Sequence, residues 1–256
     1  MDKHIGAQYY TIRDSIQNVD DFAESCKKIS EIGYKLVQIS GTPLKARDMR
    51  PILDEYGLRV VTTHRNFNDF TKDIDEIIDY NKALGCDLCG VGIMPPEYSE
   101  SVETITDFIS RANKVCETLK KENMYFGYHN HALEFAGLDG KLIIDRLISE
   151  TDSEIFNFIV DTYWVQVGGK NPADFIKKIG KRAMAVHFKD FCVNKSNWTV
   201  PAMTEIGEGT LDWDSIISAC EAAGVKWALV EQDTCQRNPF ESLKMSYEYL
   251  TGKGFC

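Results

Sequence analysis

Much that would steer a reading elsewhere is missing from this 256-residue chain. No apolar run approaches the roughly 20 residues that a bilayer-spanning helix needs, and Met1-Asp2-Lys3-His4 leads into a strand-like segment, not a secretory leader. The chain is therefore expected to be soluble and cytoplasmic, with no membrane partner. Positive charge is scarce: 29 Lys and Arg face 39 Asp and Glu, for a formal net charge of −10. The densest basic runs, Lys177-Lys178 and Lys181-Arg182, fall on one predicted helix and its exit. That balance speaks against a nucleic-acid backbone as a partner. There is no disulfide framework, because the eight cysteines are scattered through ordinary sequence and read as reduced thiols. Cys86-Asp87-Leu88-Cys89 has CxxC spacing but neither a second pair nor a nearby His to complete a zinc site. No linker or low-complexity stretch divides the chain. No glycine-rich turn follows the first apolar run either, since Ala7-Gln8-Tyr9-Tyr10-Thr11 stands where an open dinucleotide-binding sheet would place one.

What is present is an alternation. Short apolar runs at His4–Gln8, Lys35–Ile39, Leu58–Thr63, Asp87–Ile93, Met124–Asn130, Ile155–Val160, Ala183–Phe188 and Trp227–Glu231 read as strands. Between them lie helix-patterned segments: Val19–Ile32, Lys45–Tyr56, Asp69–Leu84, Val102–Lys121, Leu142–Ser149, Pro172–Ile179, Trp213–Ala223 and Pro239–Leu250. Several are closed by a glycine (Gly33, Gly57, Gly85, Gly224), and Asn171-Pro172 supplies an N-cap and first-turn pair. Eight strand-plus-helix units in 256 residues, about 32 residues each, match a (β/α)8 TIM barrel formed as a single domain over 1–256. Parallel strands need such crossovers.

Barrel chemistry gathers at the C-terminal ends of the strands. There the sequence places Gln8, then Gln38 and Ser40, then His64-Arg65. Gly92 and Met94 follow at the fourth end, where small side chains would leave room for a ligand. His129, His131 and Glu134 come at the fifth, Asp161 at the sixth, His187 and Lys189 at the seventh, and Glu231 with Asp233 at the eighth. Four of the five histidines, all but His4, fall at such ends. Each residue singly has a bland explanation: Asp161 as a loop cap, His187 as a satisfied core histidine. Glu231 after Ala228-Leu229-Val230 resists one, because a buried carboxylate without a cation costs several kcal/mol. A divalent metal is the simplest compensation, and mixed carboxylate and imidazole donors suit Mn²⁺, Zn²⁺, Co²⁺ or Fe²⁺ better than Ca²⁺ or Mg²⁺.

The stretches YHNHALEF (128–135), VDTYWVQVGG (160–169), VHFKD (186–190), IGEGTLDW (206–213) and VEQD (230–233) together resemble the sugar phosphate isomerase/epimerase superfamily, with its xylose-isomerase-like barrel. The resemblance covers nearly the whole chain. It implies one divalent ion, Mn²⁺ foremost with Zn²⁺, Co²⁺, Fe²⁺ or Mg²⁺ as the other candidates, held by Glu134, Asp161, His187 and Glu231. Many relatives carry the first of these carboxylates at the strand end itself, where this chain has His129, so His129 is the second candidate for the fifth-strand ligand. Gln38 stands where relatives often place a Glu, which leaves it a hydrogen-bonding role.

Family members abstract a proton next to a carbonyl, so a sugar or keto-sugar is the expected partner. Glu231 with His129 and His131 are the expected acid/base groups, Lys189 neutralises developing charge, and Gln8, Gln38, His64 and Trp164 bind substrate. Return of the proton gives isomerisation or epimerisation. Loss of a β-substituent gives dehydration or lysis of a keto-sugar, keto-inositol or 3-keto-glycoside. No phosphate-binding pattern is evident. Trp164 and Trp198 are placed at the active face, Trp213 and Trp227 in the core, and Asp190–Thr210 as a polar irregular loop or lid. A DNA-repair endonuclease of the same fold and a non-catalytic sugar-binding protein are the competing classes. Relatives often form homo-oligomers.

Overall fold

The computed structural model describes residues 1–256. Eight parallel strands close on themselves: β1 (Gly6–Gln8), β2 (Leu36–Ile39), β3 (Arg59–Arg65), β4 (Leu88–Val91), β5 (Tyr125–His129), β6 (Phe156–Asp161), β7 (Ala183–Phe188) and β8 (Trp227–Val230). Closure comes from β1, whose Gly6 and Ala7 pair with Leu229 and Val230 of β8. All eight expected strands are present, and the chain is a (β/α)8 barrel. No helix is long and apolar enough to cross a membrane.

The helices start where short polar side chains supply the missing acceptors for first-turn N–H groups. Asn18, Asp73, Asn171 and Asp212 each accept from a backbone N–H of the first turn. Ser101 and Thr104 cap the longest helix, Val102–Lys121, reciprocally. Two local expectations need correction. The helix expected over 69–84 is two, Phe67–Lys72 and Ile74–Leu84, because Asp73 adopts an extended φ of −151° and caps the second. The polar stretch after β7 is not irregular throughout: Asp190–Val193 and Pro201–Thr204 form an antiparallel hairpin.

Side chains divide by strand face. Those on the outer face join the large core beneath the helices, for example Phe126 and Tyr128 of β5, Val160 of β6 and Val230 of β8. Those on the inner face fill the barrel with Leu36, Val61, Leu88, Ile159, Met184, Ala185 and Leu229. Two residues above this apolar floor on the same face come Gln38 over Leu36, Asp161 over Ile159, His187 over Ala185 and Glu231 over Leu229. The period of two thus delivers the polar set to the mouth.

Two irregularities adjust that phase. Val37 pairs with Val60 and Gln38 with Thr62, so Val61 is an extra residue in β3. Phe158 pairs with Ala183 and Ile159 with Ala185, which makes Met184 extra in β7. Such bulges shift the face that later residues present. After the first, His64 turns inward although it lies three residues from inward Val61. After the second, Ala185, His187 and Lys189 share the inner face. Glycine makes room for the result: a Cβ on Gly90 would sit 2.3 Å from the Thr63 carbonyl oxygen and 2.7 Å from the His64 ring. Gly92, at the fourth strand end, lines the cavity beside His64, whereas Met94 is buried away from it.

Candidate metal centre

Four side chains from four strand ends converge. One ligand atom each from His129, Asp161, His187 and Glu231 lies within 4.8 Å of every other, and all four residues are buried. Asp161 and His187 are neighbours in the β6–β7 register.

The histidines are oriented from behind. His129 Nδ1–H donates to the Gly92 carbonyl at 2.9 Å, so its Nε2, 3.2 Å from Asp161 Oδ2, faces the cluster. His187 Nε2 lies 2.9 Å from Gln38 Oε1, and its Nδ1 lies 2.8 Å from Glu231 Oε2. Each imidazole is thus set between two acceptors, yet a neutral ring carries only one N–H. Burial pushes His187 below its ordinary value, against the pull of Glu231. In the tautomer whose Nε2–H donates to Gln38, its Nδ1 lone pair and a carboxylate oxygen face each other, and a cation between them would relieve the contact. Metal-bound histidines have this arrangement, with the far N–H tied to a carbonyl and the near nitrogen free to ligate.

Lys189 is buried and lies 3.2 Å from Asp161, 3.0 Å from Glu231 and 2.7 Å from Asp233. Burial alone would draw its ammonium down, but the three carboxylates outweigh that and hold it above the usual lysine value. Burial likewise opposes ionisation of Asp161 and Glu231, and Lys189 is the largest influence that keeps both below the carboxylate range. Asp233, half-buried beside Glu231, is pushed up to about 6 by partial burial and by that neighbouring carboxylate. Burial draws His129 down, but Asp161 and Glu231 outweigh it and lift the imidazole above its ordinary value. Two imidazoles beside two carboxylates are a donor set that fits one divalent ion.

Glu134 is not brought to this cluster. It sits in a short turn, Leu133–Phe135, where the Tyr128 hydroxyl and the His131 backbone N–H, the latter at 2.8 Å, donate to its two oxygens. Burial pushes its carboxyl up. His129 stands where the fifth-strand ligand was expected. Asn130 joins strand ends, its Oδ1 accepting from the Asp161 N–H at 3.1 Å.

The other expected residues gather around the cluster. The His64 ring lies 5.0 Å from that of His129 and 5.3 Å from that of His187, and Trp164 packs 5.2 Å from His131. Gln8 and Gln38 pair in register. The buried nitrogens Gln8 Nε2, Gln38 Nε2, His64 Nε2, His131 Nδ1 and Trp164 Nε1 have no protein partner. Burial, reinforced by neighbouring His129, depresses His131 to about 3, so it is neutral. A cavity of about 850 Å³ opens from His129, His131, Lys189, Glu231 and Asp233 past His64 to the loops after β1, β2 and β3. Trp198 stands 80% exposed on the hairpin tip, and Trp213 is core. Cys86 and Cys89 are buried with thiols pushed up, Cys89 to about 12, which leaves the CxxC without thiolate character.

Sequence reasoning passed over Asp190. Its buried carboxylate accepts from the N–H groups of Phe191 (2.8 Å), Gly207 (2.9 Å), Gly209 (3.3 Å) and Leu211 (3.3 Å), and from the Trp213 indole (2.7 Å). A Cβ on Gly209 would fall 2.2 Å from Asp190 Oδ1. The IGEGTLDW stretch is thus the wrapping of this carboxylate, and the recurrence of Gly, Gly and Trp after a Lys-Asp pair was the available signal.

The family model described as xylose isomerase-like TIM barrel matches residues 26–251. The inosose dehydratase of Lacticaseibacillus casei is 28% identical over an alignment covering 90% of this chain and 88% of that protein. The inosose dehydratase of Geobacillus thermodenitrificans is 27% identical, but the match covers 56% of this chain and only 52%, about half, of its own length. Among solved structures, a sugar phosphate isomerase/epimerase from Parabacteroides distasonis superposes with a TM-score of 0.81 at 20% identity, covering 97% of this chain and 93% of that one.

Proposed function

The chain belongs to the xylose isomerase-like TIM barrel family, and on that premise we propose that it is a divalent-metal-dependent enzyme that removes a proton from the carbon next to the carbonyl of a keto-sugar or keto-cyclitol. The observation that carries this is the cluster itself. The His129 nitrogen that faces Asp161 has its partner nitrogen tied to Gly92, and ligand atoms of His129, Asp161, His187 and Glu231 lie within 4.8 Å of one another. These four residues would hold the ion. Mn²⁺, Zn²⁺, Co²⁺ and Fe²⁺ suit these donors best, and Mn²⁺ is the first to test.

The ion, when bound, would lower the cost of negative charge on the substrate oxygens. The chain's own groups supply the rest. Glu231 stays ionised beside Lys189 and lines the cavity, and it is the carboxylate placed to accept the proton. The Lys189 ammonium offsets charge that develops on the substrate as that proton leaves. His131 and His64 are neutral and line the same cavity, with a nitrogen each free to hydrogen-bond hydroxyl groups. The Trp164 ring packs behind His131, with Lys189 over its face at 5.5 Å, and so supports the cavity wall rather than lining it.

Two outcomes share the first step. Return of the proton gives isomerisation or epimerisation, the outcome expected from the sequence. Departure of the neighbouring hydroxyl as water gives dehydration. The 28% identity to an inosose dehydratase over nine-tenths of this chain favours dehydration. The test is NMR in D2O with Mn²⁺-loaded protein, offered 2-keto-myo-inositol and a panel of ketohexoses. Deuterium entering next to the carbonyl in a product that keeps every hydroxyl group indicates isomerisation or epimerisation, and a conjugated product that has lost one hydroxyl as water and absorbs in the near ultraviolet indicates dehydration. Protein that takes up no divalent ion, or exchanges no proton in any substrate, would overturn the reading.

A further inference from the structure

The cavity is longer than the reaction centre requires. Beyond His64 it runs outward over β2, between the 3₁₀ segment Tyr9–Ser15 that follows β1 and the turn that follows β3. Two arginines flank this outer arm, and both are stacked on tyrosines. The Arg13 guanidinium lies 4.5 Å over the Tyr10 ring and that of Arg65 lies 4.8 Å over the Tyr80 ring. Stacking fixes each plane and turns its N–H edge sideways.

Neither edge is used up. Arg13 Nη1 donates to the carbonyls of Tyr10 and Asp233, both at 3.0 Å, and no carboxylate lies within 4.0 Å of this guanidinium. Arg65 Nη2 donates to Glu76 at 3.0 Å, which leaves Nε and Nη1 without a partner. Ser40 and Asn66 add polar groups to the same walls, and Asp69, half-buried at the rim, is the arm's one carboxylate. Lys189 at the inner end is different, because it sits against Asp161, Glu231 and Asp233 and belongs to the reaction centre. In a chain with 39 acidic against 29 basic side chains, a half-buried guanidinium without a carboxylate is a cation held open in a cavity wall. Gly41, at φ +72°, passes so close that a Cβ there would lie 3.1 Å from Arg13 Cβ and 3.2 Å from the Tyr10 ring.

We propose that this outer arm receives an anionic substituent of the substrate, a carboxylate or a phosphate, with Arg13 and Arg65 as the groups that select it while the keto end lies over the cluster. Arginine offers two parallel N–H donors to either anion. The inference rests on the reading of the cluster as a reaction centre and extends it to the substrate's far end.

The test measures binding of D-glucuronate, D-glucose 6-phosphate and neutral D-glucose to Mn²⁺-loaded protein at constant ionic strength, by calorimetry. The proteins are the wild type, Arg65→Met, Arg65→Lys and Arg13→Lys. Arg65→Met removes the ion pair with Glu76 and the stacking on Tyr80, and a thermal melt of each variant reports its fold. At least one anionic probe is expected to bind roughly tenfold or more tightly than glucose to the wild type. Arg65→Met should abolish that preference, and the lysine variants should keep part of it. Preference for glucuronate alone assigns a carboxylate, and preference for the phosphate alone assigns a phosphate. Equal binding of all three probes, or full retention of the preference in folded Arg65→Met, would overturn the proposal. Metal content measured on the same samples separates this failure from failure of the metal reading: anion binding carried by the ion would survive in Arg65→Met.

Discussion

At the level of single residues, His129 and not Glu134 stands in the cluster, although the motif put Glu134 first. His129 ends a strand with its ring inside the barrel. Glu134 lies five positions on in a turn that carries it back over β5 to the outward-facing Tyr128 phenol and the His131 N–H. Mn²⁺ titration calorimetry should separate the two. Glu231→Gln removes one of the charges that balance the ion and is expected to weaken binding roughly 10²-fold or more, with loss of turnover. Gln38→Ala, which frees the far side of His187, is expected to cost about 10- to 100-fold. Glu134→Gln keeps both a donor and an acceptor in its cage and should stay within about threefold of wild type. Full affinity and activity in Glu231→Gln would remove that residue from the site, and a large loss in Glu134→Gln would return it to the metal.

Among the elements, the two bulges and the wrapped Asp190 do most to place the chemistry. Without Val61 as an extra residue, the alternation of β3 would present Thr63 and Arg65 to the interior in place of His64. Were β7 to alternate regularly from inward Met184, Val186 and Phe188 would follow it into the barrel, and His187 and Lys189 would face the helices. Asp190 then turns the chain out of the barrel and gathers four backbone N–H groups and an indole around one carboxylate. Replacing it with Asn brings an NH2 against those donors, so Asp190→Asn should destabilise the fold by about 2–4 kcal/mol in urea unfolding. A change under about 1 kcal/mol would mean the loop holds without its acceptor.

For the molecule as a whole, the mouth concentrates groups whose protonation differs between folded and unfolded chains. Burial, with His129 alongside, holds His131 at about 3, against roughly 6.5 for an unfolded histidine. Between those values the unfolded chain takes up a proton that the folded chain does not, so this contribution to stability rises with pH and is complete above about 6.5. Wild-type protein should therefore lose melting temperature more steeply than His131→Gln as the pH falls from 7 to 5, measured by calorimetry at fixed ionic strength. Parallel curves would show that His131 titrates normally. Asp233, raised to about 6, acts in the opposite sense in both proteins and cancels from the comparison.

The barrel was legible in the sequence because its determinants are local. Apolar runs mark buried strands, polar caps and glycines mark helix ends, and eight repeats leave few other ways to close. The inward carboxylates Asp161 and Glu231, together with His187, were legible as well, since each directly follows or sits within an apolar run that must be buried. Tertiary structure alone decided that His129 rather than Glu134 joins them, that Gln38 steadies His187, and that Arg13 and Arg65 flank one cavity. Face along a strand can be counted only as far as the next bulge, and a bulge is set by packing against neighbouring strands. The partner of a buried charge is chosen by distance through space, which spacing along the chain does not encode.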